Sequence, residues 1–337
     1  MNYSAILDIL SFLKNPQKYL YTNSENNSKS SFSNLNIFQK LIFFSQIISF
    51  SAVLAWFAGV LGTGIISFFT EYSVTENNLI FQGFLDYGPL TVFFLVVFLG
   101  PLIEELAFRL FFSEKKGVFF TGLIFFWFFI TNIIIEIIVQ IFNLNPENTP
   151  WLGFLFLASL IFIIVLVVIL NLLISKEKLA NFIKKNFNWF FYSISITFGL
   201  IHITNYTNLN LLLILLSPLL VLPQLLVGTA FGYIRVRFNF LTAFLAHSVY
   251  NFLLGGSVFL LLFYLDTNTL KELIENINSG QISALAENLD PSQSFFLNIF
   301  LGLIMFSYFV IFTIFLWTIW DFFKVINSSK KSTETTS

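Results

Sequence analysis

Long apolar runs, with ionisable groups gathered mostly at their ends, constrain this chain more than any other feature. The run 151–173 contains no Asp, Glu, Lys or Arg. As a helix rising ~1.5 Å per residue, such a run crosses the ~30 Å hydrocarbon core of a bilayer. Lipid offers the backbone no hydrogen-bond partner, so only helices and closed barrels span it. A barrel would show short segments of alternating character, whereas these runs are continuous. Composition agrees: 57% of the 337 residues are hydrophobic and 10% are charged, against ~25% charged in soluble domains. The fold expected is an all-α polytopic, multi-pass membrane protein.

Allowing ~20 residues per span, about eight spans fit, near 41–69, 89–112, 117–142, 151–175, 187–205, 211–233, 239–263 and 294–320. Together they define a transmembrane helical domain over 41–322. Residues 1–40, Ser/Asn/Lys-rich over 22–34, read as a polar N-terminal tail, and 323–337 as a polar C-terminal tail. The apolar stretch 6–13 is short and lacks a small-residue cleavage site, so no cleavable signal peptide is expected. Segment 266–294 is polar, and 270–277 is expected to form a short amphipathic surface helix.

Lysine and arginine set the expected orientation. Lys14, Lys18, Lys29 and Lys40 precede the first span, and Lys115 and Lys116 follow the second. Lys176, Lys178, Lys184 and Lys185 follow the fourth, Arg235 and Arg237 the sixth, and Lys324, Lys330 and Lys331 the last. With eight spans all of these share one side, and the opposite loops hold only Lys271. Both termini are therefore expected in the cytoplasm. A net charge of −1 gives no case for nucleic-acid binding. The absence of Cys excludes disulfides, thiolate metal sites and a cysteine nucleophile. The 48 Phe residues fit an AT-rich genome and a lipid-facing or packing role.

Against this background three spans carry unusual polar sets, and ionisable groups inside a membrane mark function by default. The second span holds Glu104, Glu105 and Arg109. Glu105 and Arg109 are i,i+4 helical neighbours and can pair. Glu104 is rotated ~100° from Glu105, so one carboxylate can be neutralised while the other faces a cavity as a general base. A purely structural staple, with Glu104 reaching the interface, accounts equally well for these three alone. The chain's two histidines follow on the fifth and seventh spans, as Phe198…His202 and His247…Asn251. His247 and Asn251 are i,i+4 and can donate to a developing oxyanion; either histidine alone also fits an inter-helix hydrogen bond. The set as a whole suits a polar intramembrane cavity in which a water is activated.

Three signatures in this order, Glu-Glu-x-x-x-Arg, Phe-x-x-x-His and His-x-x-x-Asn, resemble those of the CAAX protease and bacteriocin-processing (CPBP, or Abi) family, which includes the type II CAAX prenyl endopeptidases. The resemblance covers about 89–263, and about eight spans also fits that family. It implies an intramembrane glutamate endopeptidase acting on a membrane-associated or lipidated protein or peptide. Glu104 would activate water, His202 would assist and orient it, and His247 and Asn251 would form the oxyanion site. Glu105, Arg109 and Phe198 would support the site. No cofactor is implied. Prenylated substrates come with the family name alone, and a bacterial cell membrane is the expected location.

Other readings remain open from the residues. Two histidines and a glutamate are zinc-ligand types, although no His-Glu-x-x-His signature occurs. A non-catalytic scaffold or immunity factor would keep the same polar core, and a transporter would show internal repeats, of which none is visible. His202 lies deeper from the basic side than Glu104 and His247. A fifth helix beginning in the cytosol near Lys184 would level the three and open the chamber to the cytoplasm. Glu136 reads as an interfacial residue. Pro101, Pro218 and Pro223 read as helix kinks or breaks. Gly59, Gly62, Gly64, Gly255 and Gly256 read as sites of close helix approach.

Overall fold

A computed structural model describes residues 4–21, 36–72, 74, 77, 87–142, 144–145, 148–253 and 291–334. Every regular element among these residues is helical. Helices α1 (Ala5–Lys14) and α2 (Pro16–Tyr21) precede the long α3 (Ile37–Phe69). The second apolar run forms α4 (Pro89–Phe94), a π-helical turn (Leu95–Leu99) and α5 (Gly100–Arg109). Then follow α6 (Lys116–Ile141), α7 (Pro150–Leu173), α8 (Lys176–Ile201), α9 (Leu211–Leu220), α10 (Leu222–Arg237), α11 (Phe240–Asn251) and α12 (Pro291–Glu334).

Helix stands over the described part of each expected span, of which 239–263 is described only to residue 253. Five helices, over Ile37–Phe69, Leu90–Phe112, Lys116–Val139, Pro150–Leu173 and Leu301–Ser328, are long and apolar enough to cross a membrane. Helices α9 and α10 meet at a 41° bend and make a sixth if taken as one broken span. Helix α8 opens with basic turns, and α11 is described for only 12 residues, so neither joins that count. Pro223 starts α10 just beyond the bend, whereas Pro218 sits inside α9. Side chains set the helix starts. Asn36 and Gln39 close a capping box on α3, and Ser175, Asn210 and Asn239 accept backbone N–H bonds at the starts of α8, α9 and α11.

Helix α10 packs on α3, α8 and α11. Its buried Phe231 and Tyr233 join Phe108 and Phe112 of the second span and Phe187, Phe191 and Phe198 of α8 in one aromatic core. Phe108 meets Phe126, Phe129 and Phe198 edge-on, with ring centroids 5.4–5.5 Å apart. Each such pair adds about 0.5–1.5 kcal/mol beyond area burial, and lipid-embedded helices depend on this kind of packing because burial itself gains little there. One expected close approach is present at Gly62, where a Cβ would lie 2.4 Å from the Leu219 carbonyl oxygen. Gly64 borders nothing within 4 Å, so close approach there is corrected; Gly255 and Gly256 lie outside the described residues.

The expected N-terminal tail is corrected over residues 4–21. Ala5, Ile6, Ile9 and Phe12 form one buried face of α1. Phe12 meets Tyr19, Phe191 and Tyr233 edge-on at 5.2, 4.8 and 5.0 Å. Asp8 pairs with Arg237 at 3.2 Å and accepts from the Tyr233 hydroxyl. An apolar stretch too short to span is long enough for a docked amphipathic helix. At the other end, α12 continues as helix to Glu334, through most of the expected C-terminal tail. The stretches 22–34 and 270–277 lie outside the described residues.

Candidate active site

The site begins at an irregularity. In the π turn, the Gly100 N–H donates to Leu95 O, five residues back. In that register Val96 O awaits the N–H of residue 101, which is proline and has none. The Asn251 Nδ2 fills the gap, donating to Val96 O at 2.9 Å. A seventh-span side chain therefore latches the second span just before its two glutamates. Wide turns of this kind recur at functional sites because they re-aim the side chains that follow.

Glu105 is fully buried, one helical turn from Arg109, which is 1% exposed, and Arg109 Nε lies 3.7 Å from Glu105 Oε2. The other carboxylate oxygen, Oε1, is 3.1 Å from His247 Nδ1. A carboxylate accepts, so Nδ1 carries the hydrogen. The Arg109 Nη2 donates to Gly228 O at 2.9 Å, and the guanidinium lies 4.2 Å from the centre of the Phe198 ring. At Gly228 a Cβ would fall 2.2 Å from Phe198 Cδ1; only glycine lets α10 approach this ring. Phe231 stacks on the His247 imidazole at 4.4 Å, 27° from parallel. The expected pairing of Glu105 with Arg109 is present, with His247 as an added partner.

His202 ends α8. Its own N–H turns to Gly199 O and Leu200 O in a tighter terminal turn. Phe198 O, its usual helical acceptor, is thereby free to take a hydrogen bond from the imidazole Nδ1 at 2.7 Å. A carbonyl only accepts, so Nδ1 carries the hydrogen here too, and Nε2 is left with its lone pair when the ring is neutral. The Phe198 ring packs 4.8 Å from the imidazole. The four-residue spacing of Phe198 and His202 is what lets that carbonyl and that ring hold the imidazole.

Glu104 faces both histidines. Its Oε2 lies 3.9 Å from His202 Nε2 and 3.7 Å from His247 Nε2. That oxygen is buried and has no hydrogen-bond partner among the described residues. Three groups from three helices (Glu104 on α5, His202 beyond α8, His247 on α11) thus converge on one point. Asn251 does not join them through the hydrogen bond it makes. Its recorded partner is the Val96 carbonyl, so the shared His247/Asn251 role divides between a group at the site and a latch behind it. The donor types match those of zinc, yet no three His, Cys, Asp or Glu side chains among the described residues are arranged to hold an ion.

Glu104 and His202 line a cavity of about 330 Å³. Its wall follows one face of α6 from Phe128 and Phe129 through Asn132 and Ile133 to Glu136, and continues through Ile201, Thr204 and Asn205. Both paths run away from the basic helix starts at Lys116 and Lys176. Helix α8 begins at Lys176 rather than near Lys184 and is 26 residues long, so His202 meets the far part of α6. Glu136, read from sequence as interfacial, belongs to the cavity wall. Sequence reasoning also missed Gly228, Phe231 and the Val96 carbonyl; the proline in the second span was the available signal for the last. The chain matches no protein-family model, and no curated protein or solved structure matches it.

Proposed function

We propose that the chain is an intramembrane endopeptidase of the CAAX protease and bacteriocin-processing type. It would have about eight spans, both termini in the cytoplasm of a bacterial cell, and a membrane-associated or lipidated peptide or protein as substrate. One observation carries this reading. The Glu104 carboxylate and two imidazole Nε2 atoms, each with Nδ1 already donating, face one another at 3.7–3.9 Å. Glu104 and a neutral His202 are two acceptors this close, and a water molecule supplies the two hydrogens that bridge them, with His247 Nε2 beside the same carboxylate oxygen.

In the reaction proposed, Glu104 takes a proton from that water while His202 Nε2 accepts its second hydrogen and aims the oxygen lone pair. The water oxygen bonds to the scissile carbonyl carbon, and the C=O π pair moves to the carbonyl oxygen. His247 as an imidazolium, held by Glu105, donates Nε2–H to that oxyanion. With Arg109 and His247 positive and Glu104 and Glu105 negative, the cluster is neutral, as a low-dielectric site requires. Collapse breaks the C–N bond, and the Glu104 proton passes to the departing nitrogen.

The test compares protein N-termini in cells expressing wild type or Glu104→Gln at equal levels. New termini confined to wild type support hydrolysis. Identical profiles, with a folded wild type whose phenotype the variant preserves, move the reading to a non-catalytic scaffold. A zinc-dependent hydrolase is the second reading, favoured by donor types alone, two imidazole nitrogens and a carboxylate.

A further inference from the structure

The second half of α6 carries a single carboxylate, Glu136, preceded by three isoleucines and followed by two. Among the described residues it forms no ion pair. A lone charge in an apolar span is costly and marks a function. Its neighbours in the cavity of Glu104 and His202 are Asn132, one turn earlier on the same face, and Thr204. The Asn132 Nδ2 donates to Phe128 O at 2.8 Å, and the Thr204 hydroxyl donates to Ile201 O at 2.8 Å. What each has left includes an acceptor: an amide oxygen and hydroxyl lone pairs. This end of the cavity, completed by Asn205, therefore offers one carboxylate with several acceptors beside it, the complement of an ammonium with three N–H donors.

We infer that Glu136 receives the ammonium of a lysine in the substrate, so that the enzyme selects a basic residue close to the bond it cleaves. The inference rests on the hydrolase reading above and adds to it the substrate class. Glu136 lies ~10 Å along α6 from Phe129, which lines the same cavity as Glu104 and His202. At ~3.5 Å per extended residue, an ammonium on a lysine side chain places that residue within about two positions of the scissile bond.

The experiment uses full-length protein in phosphatidylglycerol vesicles, which contain no lipid amine. The probes are fluorescent apolar peptides with one lysine walked along the sequence, each with norleucine and glutamate counterparts. Binding is measured in the Glu104→Gln background, alone and with Glu136→Gln or Glu136→Lys. The expected result is at least ~10-fold tighter binding of one lysine peptide over its norleucine counterpart. Glu136→Gln abolishes that preference. Glu136→Lys reverses it toward the glutamate peptide, which also shows that the variant is folded. Absence of binding, absence of discrimination, or a lysine preference that survives Glu136→Gln overturns the inference. Cleavage by protein with Glu104 intact is read in parallel. A lysine preference in binding without cleavage of any peptide sinks the hydrolase reading and leaves the ammonium receptor standing.

Discussion

His247 and Glu105 meet across the bundle, Nδ1 to Oε1 at 3.1 Å, with Glu105 sealed from solvent and the imidazole 5% exposed. Through this pair the charge of Arg109 is tied to the ring that faces Glu104. Support and chemistry are therefore one connected network, and the two can be separated by mutation.

Removing one member of the buried network leaves an uncompensated charge, at a cost of about 3–5 kcal/mol. Glu105→Ala and Arg109→Ala should each lower the thermal midpoint of the purified protein. The double variant Glu105→Gln/Arg109→Met removes both charges and should recover most of that stability without recovering peptide cleavage. With Glu105→Gln and Arg109→Met also measured singly, a double variant as unstable as the sum of those two singles would contradict this coupling.

Glu104→Gln is isosteric, and Glu104 Oε2 lacks a hydrogen-bond partner among the described residues. Its effect should fall on rate and not on folding. A general base contributes about 10²–10⁴-fold, so cleavage of a reporter peptide should drop by that factor at an unchanged melting temperature.

Asn251→Ala exposes the Val96 carbonyl without a donor, and an orphaned buried acceptor costs about 1–3 kcal/mol. Both stability and activity should fall. Asn251→Gln carries the same amide on a longer arm and should restore part of each. Equal activity in wild type and Asn251→Ala would show that the latch does not position the site.

Gly228→Ala drives a methyl into the Phe198 ring, and overpacking of this kind costs about 1–3 kcal/mol. Because Phe198 also holds His202 and Arg109, activity should fall together with stability. Pairing it with Phe198→Leu should relieve the clash and recover the melting temperature more than the rate.

The two hydrolase readings separate under chelation. A glutamate-activated water predicts a rate unchanged after prolonged treatment with a strong zinc chelator. Loss of activity that returns on adding zinc alone would replace that mechanism.

Much of this was legible in the residues because membrane spans announce themselves. Apolar runs gave the helix positions, and costly polar side chains within them gave Glu104, Glu105, Arg109, His202 and His247, which the fold then gathers. Spacing by four also carried real geometry: Phe198 O holds the His202 ring. Spacing misled at Asn251, because its direction depends on a carbonyl released by an irregular turn on another helix. Helix α1 was missed because its apolar face is short and is completed only by Phe191 and Tyr233 of other helices. That Glu136 also lines the cavity of Glu104 and His202 was not legible, because a depth count along one helix says nothing of which neighbour lies beside it.

The wide turn at Leu95–Leu99 has a corollary for deletions. It stores one surplus residue in the second span, and losing any one of those five would return the run to a regular register in which Pro101, lacking an N–H, still leaves one carbonyl unpaired. Everything upstream of Gly100 would swing by ~100° relative to Glu104, and the acceptor of Asn251 would move with it. A one-residue deletion here should thus leave a run still long enough to cross a membrane while undoing the alignment on which the proposed chemistry rests.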